Sequence, residues 1–103
     1  MTEDLHKKEE RLFRAILSLR TEEECRAFLS DLLTVRELMD FASRLEVADM
    51  LDNKMTYQEI AQQTGISTAT ISRVSRCLFY GDNGYRTVLD RMKNGNNDEE
   101  RGI

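Results

Sequence analysis

A single glycine sits between two short amphipathic stretches in residues 54–78, KMTYQEIAQQTGISTATISRVSRCL, and no other segment restricts the fold as much. The spacing predicts a helix over about Tyr57 to Thr64, a turn at Gly65-Ile66-Ser67, and a second helix from near Thr68 to about Cys77. Thr56 and Glu59 stand three apart, the spacing of a capping box, in which threonine and glutamate each satisfy a free backbone N–H of the other. Glycine enters a left-handed turn at little cost, so Gly65 is where the chain can reverse. Ile60 and Ala61 face inward, and alanine suits a close helix crossing. Ile66, Ile71 and Val74 form the apolar side of the second helix. Its outward side shows Ser67, Thr68, Ala69, Ser72, Arg73 and Arg76, with no acid among them. Small and hydrogen-bonding groups followed by arginines suit a helix lying in a DNA major groove. A helix hairpin with no nucleic-acid role shares the same turn chemistry and stays open as an alternative.

The net charge of −4 argues against a polyanionic partner until its distribution is examined. Residues 1–53 carry 8 Lys/Arg against 13 Asp/Glu, residues 54–93 carry 6 against 3, and residues 94–103 carry 1 against 3. The helix-turn-helix half is therefore the positive one, where phosphates would lie. The footprint is light for one chain. Two copies acting together would strengthen it, because the phosphate contribution grows with the number of charges neutralised.

The rest of the chain reads as helix. Leu5, Leu12, Phe13, Ile16 and Leu17 recur at helical spacing over residues 3–19. Thr21 and Glu24 make a second capping box, followed by Cys25, Phe28, Leu29, Leu32 and Leu33 on one face. Thr34 and Glu37 make a third, and a helix to about Leu51 carries the stripe Leu38, Phe41, Ala42, Leu45, Ala48 and Leu51, with Val47 beside it. Asp52-Asn53-Lys54 is a break in which Asn53 can take the left-handed turn. Residues 79–84 read as a loop. A short last helix is expected over about Tyr85 to Lys93, with Tyr85, Val88, Leu89 and Met92 as its apolar side. The expected organisation is all-α: a helical domain over residues 1–93, with the helix-turn-helix at about 56–77, and a disordered polar tail over 94–103. These apolar faces exceed what one small subunit buries comfortably, which points to a partner chain for the N-terminal helices. A compact monomer is the other reading.

Several function classes have no support in the residues. His6, the only histidine, lies near the N-terminus, and neither Cys25 nor Cys77 has a base close in sequence. There is no Gly-rich phosphate loop and no metal-ligand spacing, so an enzyme is not expected. No apolar run reaches a membrane span, and the charged N-terminus is no signal peptide, so a cytoplasmic protein is expected with its cysteines reduced. A module that docks a protein partner through the helix-turn-helix is the alternative function. Against it, the outward face just described lacks the aromatic and leucine anchors of protein hot spots.

The stretch Asp31-Leu32-Leu33-Thr34, then Ser43-Arg44 within a long helix, then MTYQEIAQQTGISTATISRVS resembles the bacterial tryptophan repressors, and more closely the Trp-repressor-like proteins of the YerC/YecD type. The likeness spans about residues 10–92 and is densest from Met55 to Ser75, where Ala69-Thr70-Ile71-Ser72-Arg73 parallels the repressor recognition helix. It implies an all-α, six-helix subunit in an intertwined homodimer. That dimer would bind double-stranded DNA at a palindromic operator, as a transcriptional regulator of the repressor kind. Candidate base-edge or phosphate contacts are then Ser67, Thr68, Ala69, Thr70 and Ser72, with Arg73, Arg76 and Lys54 on phosphates. The resemblance also implies an effector pocket at Thr34, Arg44, Arg73, Val74 and Cys77. Thr34 and the two arginines match pocket positions of the repressors. Val74 stands where they have a glycine against the indole, and Cys77 where they have a serine near the ligand's amino group. Valine adds bulk where a flat ring needs room, and a thiol is a weak partner for an ammonium, so both departures argue against tryptophan as corepressor. No other cofactor is expected. Arg73 could hold either a phosphate or a carboxylate ligand. Arg44 could equally form an ion pair with Asp40 on its own helix.

Overall fold

Threonine-glutamate pairs begin three of the six helices in the computed structural model, which describes residues 2–100, with side chains to residue 95. In order the helices are α1 (Thr2–Leu17), α2 (Glu22–Leu32), α3 (Val35–Asp52), α4 (Tyr57–Thr64), α5 (Thr68–Tyr80) and α6 (Gly84–Glu100), and there is no strand among the described residues. At α3 the Thr34 N–H donates to Glu37 Oε1 at 2.9 Å and the Glu37 N–H donates to Thr34 Oγ1 at 3.1 Å. The contacts from Thr34 hold the Glu37 carboxyl below its ordinary pKa. The same reciprocal box closes α4 through Thr56 and Glu59. At α2 only half of the box forms. The Glu24 N–H donates to Thr21 Oγ1, but the Glu24 carboxylate accepts from the Arg20 N–H, one residue earlier than expected.

The chain divides into two compact units, Met1–Met39 and Asp40–Ile103. The first unit holds α1, α2 and the start of α3, and it buries no side chain among its described residues. Leu5, Phe13, Ile16, Leu17, Val35 and Met39 are all exposed. Cys25, expected in a core, is only half-buried. The ion pairs of α1 and α2 are exposed one-turn contacts such as Arg14–Glu10 and Arg26–Glu22, each worth a few tenths of a kcal/mol at most. His6 faces Glu9 at 4.0 Å on the solvated side of α1.

All the buried core belongs to the second unit. Val47, Ala48 and Leu51 of α3, Ile60 of α4, Ile71, Val74 and Leu78 of α5 and Leu89 of α6 form one cluster. Val47 lies at its centre with no exposed surface, while Phe41 of the expected stripe is half-exposed. Phe41 lies two turns before the fully buried Ala48 on the same face, so the core covers the C-terminal half of the α3 stripe and leaves Phe41 outside it.

Three boundaries differ from the sequence reading. Lys54, not Asn53, takes the left-handed conformation, with φ +69°. The Lys54 N–H donates to Leu51 O and the Met55 N–H to Met50 O, the paired bonds of a Schellman ending. Met50 and Met55 both pack on the core, so this apolar contact sets the register and moves the strained position one residue on. Helix α5 continues through Phe79 and Tyr80 and stops at Gly81, where a Cβ would collide with the Cys77 carbonyl oxygen. Helix α6 begins at Gly84 and runs to Glu100, past the expected end at Lys93. The tail expected over 94–103 is thus helical to residue 100, and residues 101–103 lie outside the described residues. Propagating a formed helix adds one hydrogen bond per residue, which offsets the weak propensity of Asn94 to Asn97.

A cluster of charges that the sequence reading missed ties α3 to α6. The Asp52 carboxylate takes Arg86 Nη2 at 2.8 Å on one oxygen and Lys93 Nζ at 2.7 Å on the other, and only 10% of its side chain is exposed. Arg86 also reaches Asp90 at 3.4 Å. Arg86, and then Lys93, hold the Asp52 carboxyl down to about 2 from its ordinary 3.8. A depressed folded-state value means that the unfolded chain binds the proton first as pH falls. The stability from this cluster is therefore complete above about pH 4 and is lost between pH 3.8 and about 2. Asp52→Asn is expected to reduce stability at neutral pH by about 1–2 kcal/mol, since the two cations are partly solvated. In urea unfolding the gap between wild type and variant should close as pH falls towards 2. A gap that stays constant across that window would remove this cluster as its source.

Candidate nucleic-acid interface and adjoining cleft

Gly65 ends α4 in the left-handed region at φ +74°, and its N–H donates to Ala61 O at 2.9 Å. Two residues later Ser67 caps α5 by accepting the Thr70 N–H at 3.3 Å. The rotation of α5 about its axis is set by Ile71, Val74 and Leu78, which sink into the core. Rotation in turn decides what faces out. Ser67, Thr68, Ala69, Arg73 and Arg76 are exposed, and Ser72 is half-buried. The face holds no carboxylate, and neither arginine forms an ion pair with a described residue. The positive end of the α5 dipole adds to this field. Lys54, exposed in its left-handed turn, lies three residues before the start of α4 at Tyr57.

Behind this face lies an open cleft of about 300 Å³, lined by Arg44, Thr70, Arg73, Val74, Cys77 and Tyr85. Four of the five expected effector positions thus meet on one cleft. Thr34 is not part of the lining, and its hydroxyl caps α3. Thr70, expected on the reading face, is half-buried and turns to the cleft, because its N–H and hydroxyl are engaged with Ser67. Arg44 lies over the ring of Phe41, 5.7 Å from the centroid, and forms no ion pair with Asp40. Cation–π contact with a ring three residues away leaves the guanidinium without a counter-charge. Val74 is 2% exposed, so its bulk already fills the floor. The Cys77 thiol is free and exposed.

Tyr85 of α6 is the lining residue that the sequence reading missed. It read as one apolar residue of the last helix, and the core does hold its ring. Burial pushes its phenol up in pKa, Cys77 adds to this, and Arg44 opposes it. Its ring shares the cleft lining with Arg44 and Cys77. Only its amphipathic chemistry hinted at such a role.

A helical chain whose second helix after a glycine turn carries this polar face, with a paired-arginine cleft behind it, can be compared with known proteins. Residues 7–93 match the Trp repressor protein family. The chain belongs to that family. One relative, the "Uncharacterized protein YerC" of Bacillus subtilis (strain 168), is 54% identical over 84 residues, covering 82% of this chain and 81% of the relative. The "Trp operon repressor homolog" of Chlamydia trachomatis serovar L2 is 33% identical over 88 residues, covering 81% of this chain and 94% of that one. A crystal structure of a TrpR-like protein from Eubacterium eligens ATCC 27750 superposes with a TM-score of 0.78 at 49% identity, covering 82% of this chain and 87% of that one. The six-helix, all-α reading agrees with that structural likeness. Trp repressor family proteins are regulators, not enzymes. Among the described residues no cluster of His, Cys, Asp and Glu could hold a metal, and no helix is long and apolar enough to cross a membrane.

Proposed function

We propose that the protein is a homodimeric, sequence-specific DNA-binding regulator that acts as a repressor at a palindromic operator. The observation that carries the reading is the outer face of α5. It combines exposed Ser67, Thr68 and Ala69 at the helix N-terminus with exposed Arg73 and Arg76, which form no ion pair among the described residues, and it carries no acid. The first residues read base edges, and the arginines with Lys54 hold phosphates. Thr70 and Ser72, both half-buried, support the face more than they read it. The repressor sense rests on the name carried by the Chlamydia relative.

Dimerisation is supported by the N-terminal unit. A 16-residue and an 11-residue helix with no buried side chain are marginal alone in water and need a partner surface. Among the described residues, fourteen large apolar side chains are exposed against eight apolar residues buried, an imbalance that a second copy would correct.

The cleft beside the interface suits a small anion better than tryptophan. Arg44 and Arg73 offer two guanidiniums, while Val74 occupies the floor and Cys77 offers only a thiol. Tryptophan is therefore not expected to be the corepressor.

A protein-docking role is favoured by one observation. Phe79 and Tyr80 extend α5 and are exposed, Tyr80 at 88%. They lie at the C-terminal end, away from the reading residues. Selection of genome fragments by the purified protein at two salt concentrations separates the two functions. Enrichment of a palindrome without added ligand is expected, and no enrichment at either salt would sink the DNA reading. On the selected site, Arg76→Ala should weaken binding to all sequences and reduce the salt slope by about 2, about 1 for each subunit of the dimer, whereas Thr68→Ala should change sequence preference and leave the slope unaltered. An Arg76 variant with unchanged slope would take that residue off the phosphates.

A further inference from the structure

We propose that Asp52 is a positioning residue that staples the two ends of the helix-turn-helix together by gripping Arg86 and Lys93 of α6, and so sets the attitude of α5 for DNA. The inference rests on the DNA-binding reading above but concerns residues outside the reading face.

The whole helix-turn-helix lies between Asp52 and Arg86 in the chain. Its entrance is the Schellman turn, where Met55 folds back on Met50. Its exit is the short turn 81–83, with Asn83 at φ +68°. Both turns hinge on single left-handed residues that are not glycine, and such junctions hold only when surrounding contacts fix them. On the apolar side α5 is fixed to α6 by Leu78, Val74 and Leu89. Apolar packing resists separation, yet it limits sliding and rotation less than directional bonds do. Asp52 supplies those bonds across 41 residues of sequence, one carboxylate oxygen for each cation.

The carboxylate is largely shielded from water, and both its oxygens are taken, so it is not available to other partners. Its strongly lowered pKa agrees with a contact that persists at neutral pH. Asp90 makes only the longer contact to Arg86 and none to Lys93, so it cannot replace Asp52.

The sign of the effect on DNA separates positioning from charge. Asp52→Asn removes an acid and frees two cations, which by charge alone would strengthen DNA binding. Positioning predicts the reverse. The test is made with full-length protein, at a temperature where circular dichroism shows each variant folded, on the operator recovered by genome-fragment selection. Asp52→Asn is expected to weaken operator binding roughly 3- to 30-fold without lowering the salt slope, the range of coupling energies for residues that touch no ligand. Asp52→Glu, which keeps the acid, should recover most of the affinity. In hydrogen exchange of the free protein, α4 and the first turn of α5 should exchange faster in Asp52→Asn, while amides from Val74 to Leu78 stay protected. Lys93→Gln, which leaves Arg86 in place, should show a smaller change of the same kind and serves if the asparagine variant does not fold. Unchanged or tighter operator binding, or unchanged exchange in α4, overturns the staple. If wild type selects no DNA, the DNA-binding reading fails, and the exchange result still decides whether Asp52 fixes the helix-turn-helix.

Discussion

Ile60→Ala is expected to lower the unfolding free energy by about 2–5 kcal/mol, the range for emptying a fully buried isoleucine site. Ile60 has no exposed surface and is the only buried residue of α4. It joins α4 to Ile71 and Val74 of α5 and to Val47, Ala48 and Leu51 of α3 in one core. That core contains eight buried residues, so the cavity has few neighbours able to collapse into it. A domain of this size is stable by about 5–15 kcal/mol, so the loss is a large share of the total. Urea unfolding at matched protein concentration measures it, since a dimer's stability depends on concentration. Ile60→Val should cost only about 0.5–1.5 kcal/mol. A loss below 1 kcal/mol for the alanine variant would mean that α4 is not held by this contact. DNA binding should fall with α4, because α4 supports the turn at Gly65 that aims α5.

The second large effect is expected at the exposed stripe of α1. Phe13 and Ile16 are 54% and 43% exposed. Burying a side chain of this type fully against a partner stabilises by about 1.5–3 kcal/mol. Placing aspartate at both positions in one chain removes two such contributions and would bury two charges, which is far more costly. The double variant should sediment as a monomer in analytical ultracentrifugation where wild type is a dimer. Its helical circular dichroism should also fall, because α1 and α2 have no buried side chain of their own to hold them. Wild type that sediments as a monomer, or a double variant that remains a dimer, would refute the pairing. Loss of operator affinity in the monomer should be much greater than in Arg76→Ala, because one helix-turn-helix provides only half of the phosphate contacts.

Local chemistry explains what could be read from the residues alone. The six helices follow from apolar periodicity, and the starts of α2, α3 and α4 from Thr-x-x-Glu spacing, because a capping box involves only neighbours in sequence. Gly65 stood out as the turn because a left-handed position selects its residue. The inward Ile71 and Val74 and the outward Arg73 and Arg76 follow from helical periodicity once the turn is placed. Four positions of the cleft were likewise available through the family resemblance.

What tertiary structure decided involves partners far apart in the chain. Lys54 rather than Asn53 takes the left-handed turn, because Met50 and Met55 must both reach the core. Ala48 is inside and Phe41, two turns earlier on the same face, is outside, because the core covers only the C-terminal half of α3. Tyr85 joins the cleft only when α6 is packed on α5. The bond from Lys93 to Asp52 spans 41 residues, and no local pattern announces it. Helical propensity and capping act within about four residues and are written into the sequence. The rotation of each helix, and the pairing of Asp52 with α6, depend on which surfaces exclude water together, and that emerges only when the helices pack.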